Sequence, residues 1–137
     1  MDKNVLRIQV GIILFLSLIF VAGCDKSNDN HGYLAGVISI GPICPIERIP
    51  PDPGCLPTAE TYKAYPVSVY SSDGRTKITQ LNPSLDGFYT SEIPDGNYLV
   101  ILEKPQNNIG GSNLPASVSI NSKDTTKLYI NIDTGIR

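Results

Sequence analysis

Three cysteines, one histidine and thirteen acidic side chains are the groups in this 137-residue chain that could do chemistry. Cys24 ends the run Val21-Ala22-Gly23-Cys24, where small residues admit a peptidase to the backbone and leave the thiol open to acylation. Cys44 and Cys55 bracket a proline-rich segment. His31 falls in a polar stretch, where no packed surroundings could orient it as the base of a Ser-His-Asp arrangement. With Cys44 and Cys55 it is also short of the roughly four ligands that zinc requires. Asp73, Asp86 and Asp95 each precede a glycine and read as turn residues, and no loop gathers the several carboxylates of a Ca²⁺ site. Gly110-Gly111 has neither a following helix nor a lysine, so it does not read as a phosphate cradle. No catalytic residue, metal or cofactor is expected. An enzyme would need groups converging from distant strands, such as Glu60 with Asp52.

The elements that position these residues begin with a leader. Lys3 and Arg7 precede an apolar run from Val10 to Ala22. That run is too short to cross a hydrocarbon core, which takes roughly 20 helical residues, and it has the length of a secretory signal. Ending in Ala22-Gly23-Cys24, residues 1–23 resemble the signal peptide and lipobox of bacterial lipoproteins. The alternative is an ordinary cleaved signal with a cysteine beside it. The resemblance implies lipidation of Cys24, as in palmitate-bearing lipoproteins, and a chain held at a bacterial membrane facing the periplasm or the exterior. Two or three acyl chains make such an anchor durable, where one alone holds only marginally. Residues 24–31 then form the lipidated cysteine and a polar tether, and residues 32–137 the domain.

Loss of Asp2, Lys3 and Arg7 with the leader leaves nine basic and twelve acidic side chains, net −3. No basic stripe of the kind that binds nucleic acid is present. Frequent Gly and Pro indicate many short strands joined by tight turns, with no convincing helix.

Alternation places seven strands. Tyr33 to Ile40 puts Leu34, Ile38 and Ile40 on one face. Val67-Ser-Val-Tyr70 turns two valines inward, and Asp73-Gly74 reverses the chain into Arg75 to Leu81, with Ile78, Thr76 and Gln80 on its alternating face. Phe88 to Ser91 follows Asp86-Gly87. Asn97 to Glu103 contains Tyr98-Leu-Val-Ile-Leu102, apolar on both faces and therefore central. Ala116 to Ile120 and Lys127 to Ile132 complete a β-sandwich, with Tyr129 and Asn131 facing away from Leu128, Ile130 and Ile132.

Gly36-Val37, Pro66 to Tyr70 with Asp73-Gly74, Asp86-Gly-Phe88 and Ile93-Pro-Asp-Gly-Asn-Tyr98 occur in a recognisable order. They resemble the carboxypeptidase regulatory-like domain, an all-β, seven-stranded transthyretin-like (prealbumin-like) Greek-key sandwich. The resemblance spans roughly Gly32 to Ile132 and implies an accessory, non-catalytic module. A relative of that fold, the collagen-binding B-type module of pilins and adhesins, forms a Lys–Asn isopeptide bond. That bond needs a lysine on the first strand; residues 33–40 have none, although Asn131 stands on the last.

Between the first two strands, residues 42–57 carry six prolines. With Cys24 lipidated, Cys44 and Cys55 form an even pair in an oxidising compartment, where a disulfide persists; a similar insert resembles that of some bacterial members of the group. Ile43, Ile46 and Ile49, flanked by Glu47 and Arg48, are candidate binding residues for an envelope protein, since a pre-ordered loop loses less entropy on binding. The competing reading folds these isoleucines onto the sandwich, and a protease-inhibitor loop is a further variant. Tyr33, Tyr62, Tyr65 and Tyr89 are candidates for stacking on peptidoglycan or another glycan, the alternative ligand class.

Overall fold

Alternating apolar residues and Asp-Gly turns produce two sheets packed face to face, in a computed structural model that describes residues 30–46, 48–103 and 110–137. The leader, Cys24 with its tether up to residue 29, and Glu47 lie outside the described residues. The strands are β1 (His31–Gly41), β2 (Val67–Ser71), β3 (Lys77–Gln80), β4 (Phe88–Pro94), β5 (Gly96–Leu102), β6 (Gly111–Ser112), β7 (Ala116–Ile120) and β8 (Thr125–Asp133). One sheet has the order β4-β1-β8-β6 and the other β3-β2-β5-β7. The expected β-sandwich is therefore present, with the two-residue β6 added at an edge. The doubly apolar strand β5 is central, between β2 and β7.

The core lies between the sheets. Leu34, Ile38, Ile40, Ile93, Ile130 and Ile132 meet Val67, Val69, Val100 and Ile120, and all ten are buried. Each such side chain contributes about 1.5–3 kcal/mol when fully buried. Tyr89 joins them from β4, opposite Gly36 of β1. A Cβ at Gly36 would fall 1.9 Å from the Leu128 carbonyl oxygen, and the missing side chain leaves room for the Tyr89 hydroxyl to donate to that oxygen at 2.7 Å.

The turns follow the sequence closely. Gly74 and Gly87 adopt φ of 70° and 80°, a region open to glycine at little cost, directly after Asp73 and Asp86. The Asp73 carboxylate accepts from the Ser71 hydroxyl and from the Arg75 amide.

Three expectations need correction. The first is a short helix, α1 (Ala59–Ala64), which precedes β2. Thr58 caps it, with reciprocal bonds between Thr58 and Thr61. Six residues are too few to show a helical period, and threonine stands where the usual capping box has Glu or Gln. Second, the alternating face that carries Ile78 points outward and Ile78 is 40 % exposed, because Thr79, and not Ile78, pairs with the core residue Val69. Third, His31 belongs to β1 and not to a tether: it pairs with Pro94, and its carbonyl accepts from the Lys123 amide.

β1 runs antiparallel to β4 and parallel to β8. It enters beside the β4–β5 and β7–β8 turns, where the Asn30 carbonyl accepts from the Asp95 amide. Its 11 residues carry the chain about 35 Å to the opposite end of the sandwich. There Gly41 hands over to the proline-rich loop.

Candidate functional site

The loop at the far end of β1 is a closed structure. Cys44 and Cys55 are joined in a disulfide, with Cα atoms 5.4 Å apart. Asp52 shapes the second half: its carboxylate accepts from the Gly54 amide at 3.0 Å and its carbonyl from the Cys55 amide at 2.8 Å. This makes one turn of 3-10 helix over Pro53–Cys55. The loop base is tied to the segment after β8. The Thr134 amide donates to the Gly41 carbonyl at 3.1 Å, and the buried Thr134 hydroxyl donates to the Pro42 carbonyl.

The candidate binding residues divide here. Ile43 packs against the core, as the structural reading of the loop requires. Ile46 is 72 % exposed and Ile49 fully exposed, with Arg48 also in solvent. Ile43, Arg48, Ile49, Pro51, Asp52 and Leu56 line a cleft of about 490 Å³ beside the disulfide. The loop thus anchors one isoleucine and presents two.

Chemistry elsewhere is accounted for by local structure. Glu60 pairs with Lys63 at 2.9 Å on the exposed face of α1, and Asp52 caps the 3-10 turn. On the outer face of the second sheet, Glu103 accepts from Tyr70 at 2.7 Å and pairs with Lys77 at 2.9 Å. Lys77, and secondarily Tyr70, hold the Glu103 carboxyl below its ordinary range. The same bond to Glu103 raises Tyr70. Among the described residues, no three His, Cys, Asp or Glu side chains converge as a metal site would need.

Of the four tyrosines considered for glycan stacking, Tyr89 is removed by burial in the core. Tyr62 and Tyr65 pack against that core from α1 and its end. Tyr33 remains on the outer face of β1, 44 % exposed. Two further exposed rings, Phe88 and Tyr129, share that face. The alternation of β8 signals Tyr129, whereas Phe88 follows only from the register of β4 on β1.

No protein-family profile matches the sequence, and no curated protein matches it. Solved structures do match in fold. GBS52, the minor pilin of Streptococcus agalactiae, is similar over 76 % of this chain and 44 % of its own, with 15 % identity and a TM-score of 0.51. A DUF3823 family protein from Parabacteroides merdae is similar over 77 % of this chain and 47 % of its own, with 17 % identity and a TM-score of 0.47. The chain thus spans less than half the length of either. At these identities the likeness is one of fold, a bacterial β-sandwich.

Proposed function

We propose that this chain is a non-catalytic, lipid-anchored module of a bacterial cell envelope that presents its stapled loop to an envelope protein. The observation that carries the reading is the placement of the two ends of β1. Asn30, which would follow the tether from Cys24, lies at one end of the sandwich, and the disulfide loop lies about 35 Å away at the other. An anchor at Cys24 would therefore attach at the end of the sandwich opposite Ile46, Arg48 and Ile49. The disulfide and the Thr134 bonds hold the loop base, and this pre-ordering favours binding. The similar sandwich of a minor pilin supplies a fold precedent at a cell surface, and the resemblance to carboxypeptidase regulatory-like domains points to an accessory role.

The test is covalent capture in intact cells, comparing the native chain with one in which residues 45–54 are replaced by a short Gly/Ser linker. A defined protein captured only by the native loop is the expected result. Equal capture by both chains would overturn the role of the loop. Metabolic labelling with an alkyne fatty acid, lost in Cys24→Ser, tests the anchor separately.

A further inference from the structure

We infer that the outer face of the β4-β1-β8 sheet is a second binding surface, a stacking platform for a neutral glycan built of β-linked pyranose rings. The strand registers set its geometry. Phe88, Val37 and Tyr129 are directly paired across three strands and form one row, with both rings 64 % exposed. The next row is Thr90, Ala35 and Lys127, and the one beyond it Glu92, Tyr33 and Thr125. Ala35, half-buried, is thus a low floor between two aromatic walls, with a hydroxyl and an ammonium at its sides.

The two rings of the Phe88–Tyr129 row stand two interstrand spacings apart, about 9.5 Å. An extended β-1,4-linked chain presents the same ring face at every second sugar, so two such faces can rest on the two rings. Val37 also lines a cleft of about 430 Å³ with Ser39, Leu56, Tyr62, Leu85 and Asp86, which offers the chain end hydroxyl and carboxylate partners.

The polar side chains select the ligand class. Thr90, Lys127, Glu92, Thr125, Ser39 and Asn131 alternate with the apolar ones, so donors and acceptors flank every ring. Sugars need that mixture of apolar C–H faces and ringed hydroxyls. A second copy of this chain or a stable protein partner would bury about 800 Å² on each side, far more than a platform two interstrand spacings by two row spacings across, about 9.5 by 13 Å. Lys127 stands against Glu92 on the platform and Asp86 in the cleft, one positive charge against two negative, which disfavours a polyanion and favours a neutral glycan.

The experiment is titration calorimetry of the full chain in detergent with soluble cellohexaose and chitohexaose, beside Phe88→Ala, Tyr129→Ala and Tyr129→Phe. Binding of either sugar, weakened about tenfold by each alanine and kept by Tyr129→Phe, is the expected result, since one aromatic contact of this kind is worth up to about a factor of ten. Unchanged thermal unfolding shows that the variants fold, as the exposure of both rings predicts. No binding of either sugar, or binding indifferent to both alanines, overturns the inference. Sedimentation that changes from dimer to monomer in the alanine variants, without sugar binding, would assign the face to a second copy instead. The loop replacement leaves this binding intact, so the platform and the loop fail independently.

Discussion

The Tyr89 hydroxyl donates a 2.7 Å hydrogen bond to the Leu128 carbonyl, reaching from β4 to β8 across the strand that separates them. Gly36 makes the crossing possible, and burial raises the phenol's pKa so that the donor stays protonated at any physiological pH. Tyr89→Phe leaves the buried carbonyl without this donor and is expected to cost about 1–3 kcal/mol in urea unfolding. Gly36→Ala is expected to cost about 3 kcal/mol or more, because its Cβ meets backbone that can yield only by parting β1 from β8. A Gly36→Ala protein as stable as the native one would show that the two strands are not held this close.

Loss of the staple acts on the unfolded chain. Cys44 and Cys55 are 11 residues apart in sequence, and closing a loop of that length contributes about 3 kcal/mol on the chain-entropy account. Cys44→Ser with Cys55→Ser should lower the unfolding free energy by roughly that amount in denaturant titration. Amide exchange should rise first around Gly41 to Leu56, and last in β5.

Ile130 and Ile49 give opposite readouts of the loss of an isoleucine side chain. Ile130→Ala empties a buried core position and is expected to cost about 2–5 kcal/mol. Ile49→Ser removes a fully exposed side chain and should leave stability within about 0.5 kcal/mol. On the proposed role of the loop, it should nevertheless reduce capture of the partner. Thermal unfolding and cross-linking yield, measured on both variants, separate the two effects.

Asp133 titrates abnormally because of its neighbour at the end of the chain. The Arg137 guanidinium contacts its carboxylate at 2.8 and 3.1 Å, the Gly135 amide adds a bond at 2.8 Å, and the pKa falls to about 2. A lowered folded-state value contributes stability that is fully present above the unfolded value, about 3.9. That contribution is lost as pH falls toward 2. Carboxyl NMR should find the low value in the native chain and a return toward about 3.9 in Arg137→Ala. An unchanged midpoint would assign the effect to the backbone amide alone.

Residues with a strict period of two announced the architecture. Leu34, Ile38 and Ile40, the two valines of β2, and Ile130 with Ile132 all lie in the core where alternation placed them. The Asp-Gly pairs marked their turns because a positive φ has a distinct chemical preference. What escaped was settled by neighbours in space. Ile78 points outward because Thr79 takes the place opposite Val69, a register that no local pattern encodes, and α1 rests on a cap and fewer than two turns. Tyr89 could not be told from a surface tyrosine without Gly36 opposite it. The loop's cysteines were readable as a pair, but whether Ile43 or Ile49 would pack against the core depended on how the staple folds back.

The parallel partnership of β1 and β8 also fixes how the domain would bear a load. The chain enters at the start of β1, and Arg137 follows the end of β8, so these two points lie at opposite ends of one ladder. Tension applied between them runs along both strands and slides one past the other. The nine paired residues from Tyr33–Thr125 to Gly41–Asp133 would then resist together rather than open one at a time. Between the proposed membrane anchor and anything attached beyond Arg137, the sandwich would act as a stiff link, with its longest ladder aligned with the pull.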